Sequence, residues 1–231
     1  MRHLVSARGP ATRYVAGAAG LLLGTAGLFN AGVDAAAAAT SVAAWHMDEA
    51  SGTTMLDSAG RDNDGDLHSV TVGASGRIGN GYAFNGKSSY VSVPSKDSLN
   101  PKSANVTISI SFKTTSLPSG ADWDLIRKGY YATSGGEWKV ELQPSGRASC
   151  GFKGSGYVFL EAGPNHLNDG AWHTVTCTKT SSAVTLKVDG KSFSKSGKVG
   201  SISNTKPIVI GAYPGKEFFK GTLDEASVTI G

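Results

Sequence analysis

The sequence Val106-Thr107-Ile108-Ser109-Ile110-Ser111-Phe112-Lys113 decides the fold class of this chain. Apolar and polar residues alternate over four repeats, which is the period of a β-strand with one face in a core and the other facing solvent. Further short apolar segments follow at close spacing, separated by turns of glycine, asparagine and aspartate. No segment after residue 39 keeps a helical period over three turns. The chain is therefore predicted to be all-β.

The strands are expected to form one two-sheet antiparallel sandwich, a jelly roll, over residues 42–230. About eleven strand-like segments in one uninterrupted stretch fit a single large sandwich better than two small domains. Asn85-Gly86 is a turn between two strand-like segments, and Asp189-Gly190 is typical of a hairpin turn. The composition agrees, because 31 of 231 residues are glycine and only 17% are charged, which excludes a coiled coil and a charged disordered chain.

The first 39 residues have the organisation of a secretory signal peptide. Three arginines precede an apolar stretch at 14–29, and alanines at 35–39 offer cleavage sites. The alternative, a membrane anchor, is less favoured because four glycines dilute an apolar run shorter than the ~20 residues that span a bilayer. We expect residues 1–39 to be removed, the protein to be secreted, and the mature chain to have no membrane span.

The net charge argues against nucleic acid as a partner. The formal charge of +4 falls to +2 without residues 1–39, because that segment holds three arginines and one aspartate. The lysines at 187, 191, 195 and 198 have no interleaved aromatic residues, which favours a solvated face over a nucleic-acid patch.

Cys150 and Cys177 are the only cysteines, and export would place them in an oxidising compartment. An even pair in such a chain favours a disulfide. Each cysteine lies in a strand-like run, so we expect the bond to join adjacent antiparallel strands. One cysteine pair without accompanying histidines is a poor structural zinc site.

Trp172 and His173 begin a strand directly after the Asp169-Gly170 turn. We expect Trp172 to anchor the core and His173 to lie at the surface or at a strand edge. A catalytic role for His173 would need a nucleophile or carboxylate partner that the sequence does not identify.

Several short motifs, taken in order, resemble the laminin-G-like, concanavalin A-like lectin/glucanase jelly-roll family of secreted bacterial proteins. Each motif is a turn joined to a strand, and the set covers nearly the whole chain after residue 42. The motifs are AWHMDEASG at 44–52, DSAG at 57–60, NDG at 63–65, GYAFNG at 81–86, YVSVP at 90–94, GAWHTV at 170–175, LKVDG at 186–190, IG at 210–211 and FKGTLDE at 219–225. The resemblance implies the sandwich fold, whereas function depends on the residues of a site.

The resemblance also implies a structural calcium ion that ties the first strand to the last. The matching positions are Asp48 or Glu49, the turn of Asn85 and Gly86, and Asp224. Carboxylates and backbone carbonyls are the hard oxygen ligands that calcium prefers. The alternative is that these side chains only make hydrogen bonds within turns.

The resemblance includes glucanases, which carry paired acids on one strand in a Glu-x-Asp-x-x-Glu pattern, and this chain has no such pattern. Asp122 and Asp124 lack a third acid on their strand. Glu137 and Glu141 flank Lys139 on one face, which we interpret as a surface charge row. We therefore predict that the protein is not an enzyme. A divergent glycoside hydrolase or polysaccharide lyase ranks third, after the two binding functions considered next.

Sugar binding needs aromatic faces that stack on pyranose rings, beside polar groups that bond to hydroxyls. Tyr130, Tyr131 and Tyr157 lie beside glycine-rich loops, and Asp122 and Arg127 are nearby polar candidates. We predict a secreted, non-catalytic carbohydrate-binding module whose partner is an extracellular glycan. The alternative is a protein-interaction module that binds a cell-surface protein.

Overall fold

The computed structural model describes residues 39–213 and 215–231, so the expected signal peptide lies outside the described residues. The described residues form one compact unit. The described residues contain sixteen β-strands and one 3-10 turn at Asp97–Leu99, which confirms the all-β prediction. Within these ranges no helix is long and apolar enough to cross a membrane.

The strands are short and follow one another closely, as the turn-rich sequence predicts. In chain order they are β1 Thr40–Trp45, β2 Thr54–Met55, β3 Gly65–His68, β4 Thr71–Ser75, β5 Asn80–Asn85, β6 Tyr90–Val93, β7 Val106–Lys113, β8 Trp123–Lys128, β9 Glu137–Leu142, β10 Ala148–Lys153, β11 Tyr157–Ala162, β12 Trp172–Lys179, β13 Ala183–Val188, β14 Lys191–Ser196, β15 Ile208–Ile210 and β16 Lys220–Ile230.

The strands form two antiparallel sheets. Sheet A has the order β14-β13-β12-β7-β16-β5-β4, and β1 also pairs with β16. Sheet B has the order β11-β10-β9-β8-β15-β6-β3-β2. Consecutive strands alternate with neighbours from distant parts of the chain, such as β7 with β16 and β8 with β15. The predicted two-sheet sandwich, a jelly roll, is confirmed.

The core lies between the two sheets and follows the alternation that was read from the sequence. Ile108, Ile110 and Phe112 of β7 are fully buried, while the intervening residues point to the outer face of sheet A. Trp45 from sheet A and Trp138 from sheet B are the largest buried side chains. Complete burial of one such apolar side chain contributes roughly 1.5–3 kcal/mol, so this interior supplies the main driving force for folding.

Cys150 and Cys177 form the predicted disulfide, with their Cα atoms 5.9 Å apart. The expected placement on adjacent strands is wrong, because Cys150 lies on β10 of sheet B and Cys177 on β12 of sheet A. Both side chains point into the core and are fully buried. The bond therefore joins the two sheets across the interior.

The expected positions of Trp172 and His173 are reversed. Trp172 is only partly buried, on the outer face of sheet A, whereas His173 is buried. His173 lies between two carboxylates, with its Nδ1 atom 2.7 Å from Asp189 and its Nε2 atom 3.1 Å from Asp169. The two aspartates supply the polar partners that a buried imidazole needs.

Candidate functional site

A cavity of about 350 Å³ opens on the outer face of sheet B, over β8 and β9. All five residues that the sequence analysis selected for carbohydrate binding line this one cavity. They are Asp122, Arg127, Tyr130, Tyr131 and Tyr157. The remaining lining residues are Ala132, Glu137, Lys139, Tyr213, Lys216 and Glu217.

A β-bulge in β8 brings the charged floor of the cavity together. Residues three apart on a regular strand point to opposite faces. The pairing of β8 with β9 shifts between Asp124 and Ile126, so that both Asp124 and Arg127 lie on the outer face. They stand opposite Glu141 and Lys139, which also share that face. The bulge therefore assembles a cluster of charged side chains that simple alternation forbids.

Arg127 is buried at the centre of the floor, with its charge fully engaged. Its guanidinium donates hydrogen bonds of 2.7 Å to Asp124 and 2.8 Å to Glu137, and its Nε donates to a backbone carbonyl. The rings of Tyr130 and Tyr213 lie 5.1 and 4.3 Å from the guanidinium carbon. Arg127 therefore holds carboxylates and aromatic rings in fixed positions, as the planar guanidinium group favours.

The interpretation of Glu137 and Glu141 as a surface charge row is wrong. Both side chains are buried in the floor of the site. Glu141 contacts the ammonium group of Lys139 and accepts a 3.0 Å hydrogen bond from Ser149. The loops above sheet B cover this part of its outer face, and that coverage could not be read from strand alternation.

Burial changes the acid–base properties of the floor. Desolvation raises the pKa of Asp124 well above its usual value, and the neighbouring Glu141 adds to the rise although Arg127 opposes it. Burial also raises the pKa of Glu141 and of Asp122. Burial lowers the pKa of Arg127, but the charges of Asp124 and Glu137 outweigh this effect and leave it above normal.

Two exposed tyrosines form the rim of the cavity. The side chain of Tyr131 is 59% exposed and that of Tyr157 is 44% exposed, and their rings meet edge to face at 5.4 Å. The ammonium group of Lys153 lies 4.0 Å from the centre of the Tyr131 ring. The loop that carries Tyr131 ends at Gly136, which has φ = +83° and no room for a Cβ atom beside the carbonyl of Lys153. The loop is therefore fixed where it leaves the sheet.

Sequence reasoning missed the opposite wall, which is formed by Tyr213, Lys216 and Glu217. Tyr213 pairs with Lys216 in a short turn, and Lys216 forms a 2.8 Å ion pair with Glu217. The signal in the sequence was an aromatic residue next to a Pro-Gly pair, which marks a turn but not its neighbours. Only the crossing from β15 to β16 places this turn beside β8.

The structure does not bring the five expected calcium ligands together. Asp48 bonds to the backbone of Asn80, at the start of β5. Asn85 and Gly86 stand at the other end of this strand, about 17 Å from Asn80 along an extended chain. Asn85 accepts hydrogen bonds from three backbone amides of its own turn, and the amide of Gly86 donates to a backbone carbonyl. These two residues therefore form the turn by which the chain passes from β5 of sheet A to β6 of sheet B.

The three expected acidic ligands also serve backbone groups. Asp48 accepts a 2.8 Å hydrogen bond from the amide of Asn80. Asp224 accepts bonds of 2.7 and 3.1 Å from two successive amides in the β4–β5 turn. Glu49 accepts from the amide of Leu56 and from the hydroxyl of a buried tyrosine. Asp48 and Asp224 thus bond to one turn, at the end of β5 opposite to Asn85 and Gly86.

A different acidic group could hold a cation. Ligand oxygens of Asp122, Asp124 and Glu141 all lie within 4.8 Å of one another. One carboxylate oxygen of Asp124 and one of Asp122 are buried without a hydrogen-bond partner. A buried polar atom without a partner is costly, so these oxygens have unused capacity to bind a proton or a metal ion.

The two packed antiparallel sheets and their Greek-key-like strand order define a concanavalin A-like sandwich. A family profile described as the concanavalin A-like lectin/glucanases superfamily, Laminin_G_3, matches residues 85–229. The chain therefore belongs to the Laminin_G_3 family, as the motif resemblance implied. No functionally curated protein matches the chain in sequence.

Solved structures share this fold. The binding domain of Paraclostridial Mosquitocidal Protein 1 is similar with a TM-score of 0.67 and 17% identity, over 81% of this chain and 48% of that one. Domain 4 of AbnA, an extracellular GH43 arabinanase of Geobacillus stearothermophilus solved in complex with arabinotriose, is similar with a TM-score of 0.61 and 18% identity. The match covers 84% of this chain and 93% of that domain. Mouse laminin α1 domains LG4-5 are similar with a TM-score of 0.52 and 23% identity, over 64% of this chain and 40% of that one.

At these identities the similarity is one of fold. The present chain spans about half the length of the mosquitocidal binding domain and covers nearly all of the arabinanase domain.

Proposed function

We propose that this domain is a secreted, non-catalytic module that binds an extracellular glycan in the cavity on sheet B. The observation that carries the proposal is the convergence of Tyr131 and Tyr157 on a rigid, charged floor. Exposed rings offer faces for sugar stacking, while the floor offers carboxylates and an ammonium group for hydroxyls.

The charged floor supports binding because it is organised before any ligand arrives. Arg127 fixes Asp124 and Glu137, and Lys139 fixes Glu141. A site whose polar groups are already held pays little ordering entropy when a ligand binds. Asp122 and Lys139 are only partly buried and are the polar groups that a sugar would reach first.

The similarity to the arabinanase domain supports the same proposal. That domain was solved with arabinotriose, a neutral oligosaccharide. The fold is shared at low identity, so the residues of the present site have to be tested directly.

We also propose that the calcium ion implied by the family binds at Asp122, Asp124 and Glu141, and not at Asp48 and Asp224. The support is chemical, since calcium prefers carboxylate oxygens and Asp124 has one buried oxygen without a partner. The bound ion would neutralise part of the floor and stabilise the loop before β8.

The test begins with a glycan array and continues with calorimetric titration of the best neutral oligosaccharide. We expect Tyr131→Ala and Tyr157→Ala to weaken binding. Tyr90→Ala is the matched control, because Tyr90 stacks on His68 elsewhere in sheet B and does not line the cavity. Unchanged affinity in both rim variants would reject this site. A specific protein partner and no glycan would favour the interaction module, and release of reducing sugar would establish a hydrolase.

A further inference from the structure

The outer face of sheet A consists mainly of hydroxyl side chains. The strand registers align them in rows that cross β16, β7, β12, β13 and β14. We call this set the hydroxyl face: Ser227, Ser109, Thr176 and Ser192 in one row, Thr229, Thr107, Thr178, Thr185 and Ser194 in the next, and Ser111 with Thr174 beside them.

Eight of the eleven hydroxyls on this face are fixed by bonds between neighbouring strands. A hydroxyl that is bonded once keeps further donor or acceptor capacity, so the rows can still bond to a ligand. The pairs are Thr107 with Thr178 at 3.0 Å, Ser109 with Thr176 at 3.1 Å, Ser111 with Thr174 at 2.9 Å, and Thr185 with Ser194 at 3.2 Å.

A cavity of about 490 Å³ lies at one end of the hydroxyl face. Partly exposed Trp172 and the exposed side chains of Arg77 and Lys187 line it, together with Thr174 and Thr176. This cavity is separate from the one on sheet B, with which it shares no lining residue.

The cations of this cavity are not neutralised by the protein. In the described part of the chain, neither Arg77 nor Lys187 forms a salt bridge, and the guanidinium group of Arg77 makes only a long 3.4 Å hydrogen bond to Ser111. Asp189 is the single acid among the lining residues. Its two oxygens are already used, one by the amide of Thr174 and one by the ring of His173.

We propose that this face is a second binding site, for an anionic polysaccharide that carries carboxylate or sulfate groups. Arg77 and Lys187 match the anionic groups, Trp172 offers a stacking surface for a sugar ring, and the rows of hydroxyls match ring hydroxyls. A protein partner would need an apolar centre to its interface, and Trp172 is the only large apolar side chain that lines the cavity. The site does not depend on the glycan proposed for sheet B.

The experiment is a titration of the intact protein with polygalacturonate and dextran sulfate, with neutral dextran as the reference. We expect the acidic polymers to bind and neutral dextran not to bind. Binding should weaken when the ionic strength rises from about 0.01 to 0.15 M, because the Debye length falls from about 30 to 8 Å. The double variant Arg77→Gln/Lys187→Gln should lose about tenfold in affinity, and Trp172→Ala should also weaken binding.

The control is Lys87→Gln/Lys198→Gln, which removes the same charge from two exposed lysines outside the cavity. An equal loss in this control would overturn the proposal, since attraction would then depend only on net charge. The proposal would also be overturned if neither acidic polymer binds, or if the chain binds a protein partner but no acidic polymer. A loss in Tyr131→Ala that equals the loss in Arg77→Gln/Lys187→Gln would move the ligand to sheet B. Melting temperatures close to that of the parent would confirm that the exposed substitutions leave the fold intact.

Discussion

Asp124 and Arg127 share one face of β8 and form a 2.7 Å ion pair, although three positions separate them on a strand. The bulge after Asp124 accounts for this geometry, because it adds one residue to β8 relative to β9. The pair is buried together with Glu137, which also bonds to Arg127. The free energy of unfolding therefore depends on keeping this one cation between the two carboxylates.

Arg127→Met should lower the free energy of unfolding by about 3–5 kcal/mol, because it leaves two buried carboxylates without their cation. Urea unfolding measures the loss. The control is Lys102→Met, which breaks the exposed pair with Asp97 and should cost at most about 1 kcal/mol. Similar losses in the two variants would contradict the buried network.

Tyr131→Ala and Tyr157→Ala should each cost about 1–2 kcal/mol of glycan binding, or roughly tenfold in affinity, through lost stacking and contact area. Tyr131→Trp should retain most of the affinity because it keeps an aromatic face at the rim. Calorimetric titration of each variant measures the change. A Tyr131→Trp variant as weak as Tyr131→Ala would argue against stacking at this position.

Calcium at 100 times its Kd should add about 2.7 kcal/mol to the free energy of unfolding. Asp122→Asn should abolish this gain, because it removes one of the three clustered carboxylates. Asp48→Asn should preserve the gain, since Asp48 serves the backbone of the neighbouring turn. Thermal melting with calcium and with chelator measures both effects. A parent protein that melts identically in the two conditions binds no calcium.

Stability should rise with pH between about 8 and 10, because Lys128 is fully buried and desolvation lowers its pKa to about 8. The unfolded chain, with the usual value of 10.5, binds more protons over this interval, so loss of the proton favours the folded state. Lys128→Met should flatten this slope, although it removes hydrogen bonds to two backbone carbonyls. Urea unfolding at several pH values measures it, with the exposed Lys96→Met as control. A slope that persists in Lys128→Met would assign it to other groups.

Loss of the disulfide in Cys150→Ala/Cys177→Ala should cost about 3.5 kcal/mol of unfolding free energy, the chain-entropy value for a sequence separation of 27 residues. The sandwich should still form, because the core surrounds the bond on both sheets. Circular dichroism and thermal melting check the two expectations. Loss of strand signal at room temperature would show that the bond is required for folding.

The fold could be predicted from the sequence because alternation and turn residues act locally. The apolar residues of β7 became the core face without exception, and the Asp189-Gly190 turn closed the β13–β14 hairpin. The pairing of Cys150 with Cys177 was also predictable, since no other cysteine competes. The sheet to which each cysteine belongs could not be predicted, because strand order is set by contacts between distant segments.

The site was predictable only in part, for the same reason. The loop tyrosines were recognised from their glycine-rich surroundings, and they do line one cavity. The burial of Glu137 and Glu141 and the wall formed by Tyr213 depend on how loops fold over sheet B. The bulge in β8 is a difference of one residue between two strands, and neither strand reveals it alone.

This bulge has an evolutionary consequence. Insertion of one residue into β9 opposite Leu125 would restore regular alternation along β8, and Asp124 and Arg127 would then point to opposite sides of the sheet. A related sandwich could therefore gain or lose the charged floor through the insertion or deletion of a single codon, while the rest of the strand pairing survives. Relatives in which β9 carries one more residue at this point should therefore differ from the present chain in ligand, even when the sequences on either side are alike.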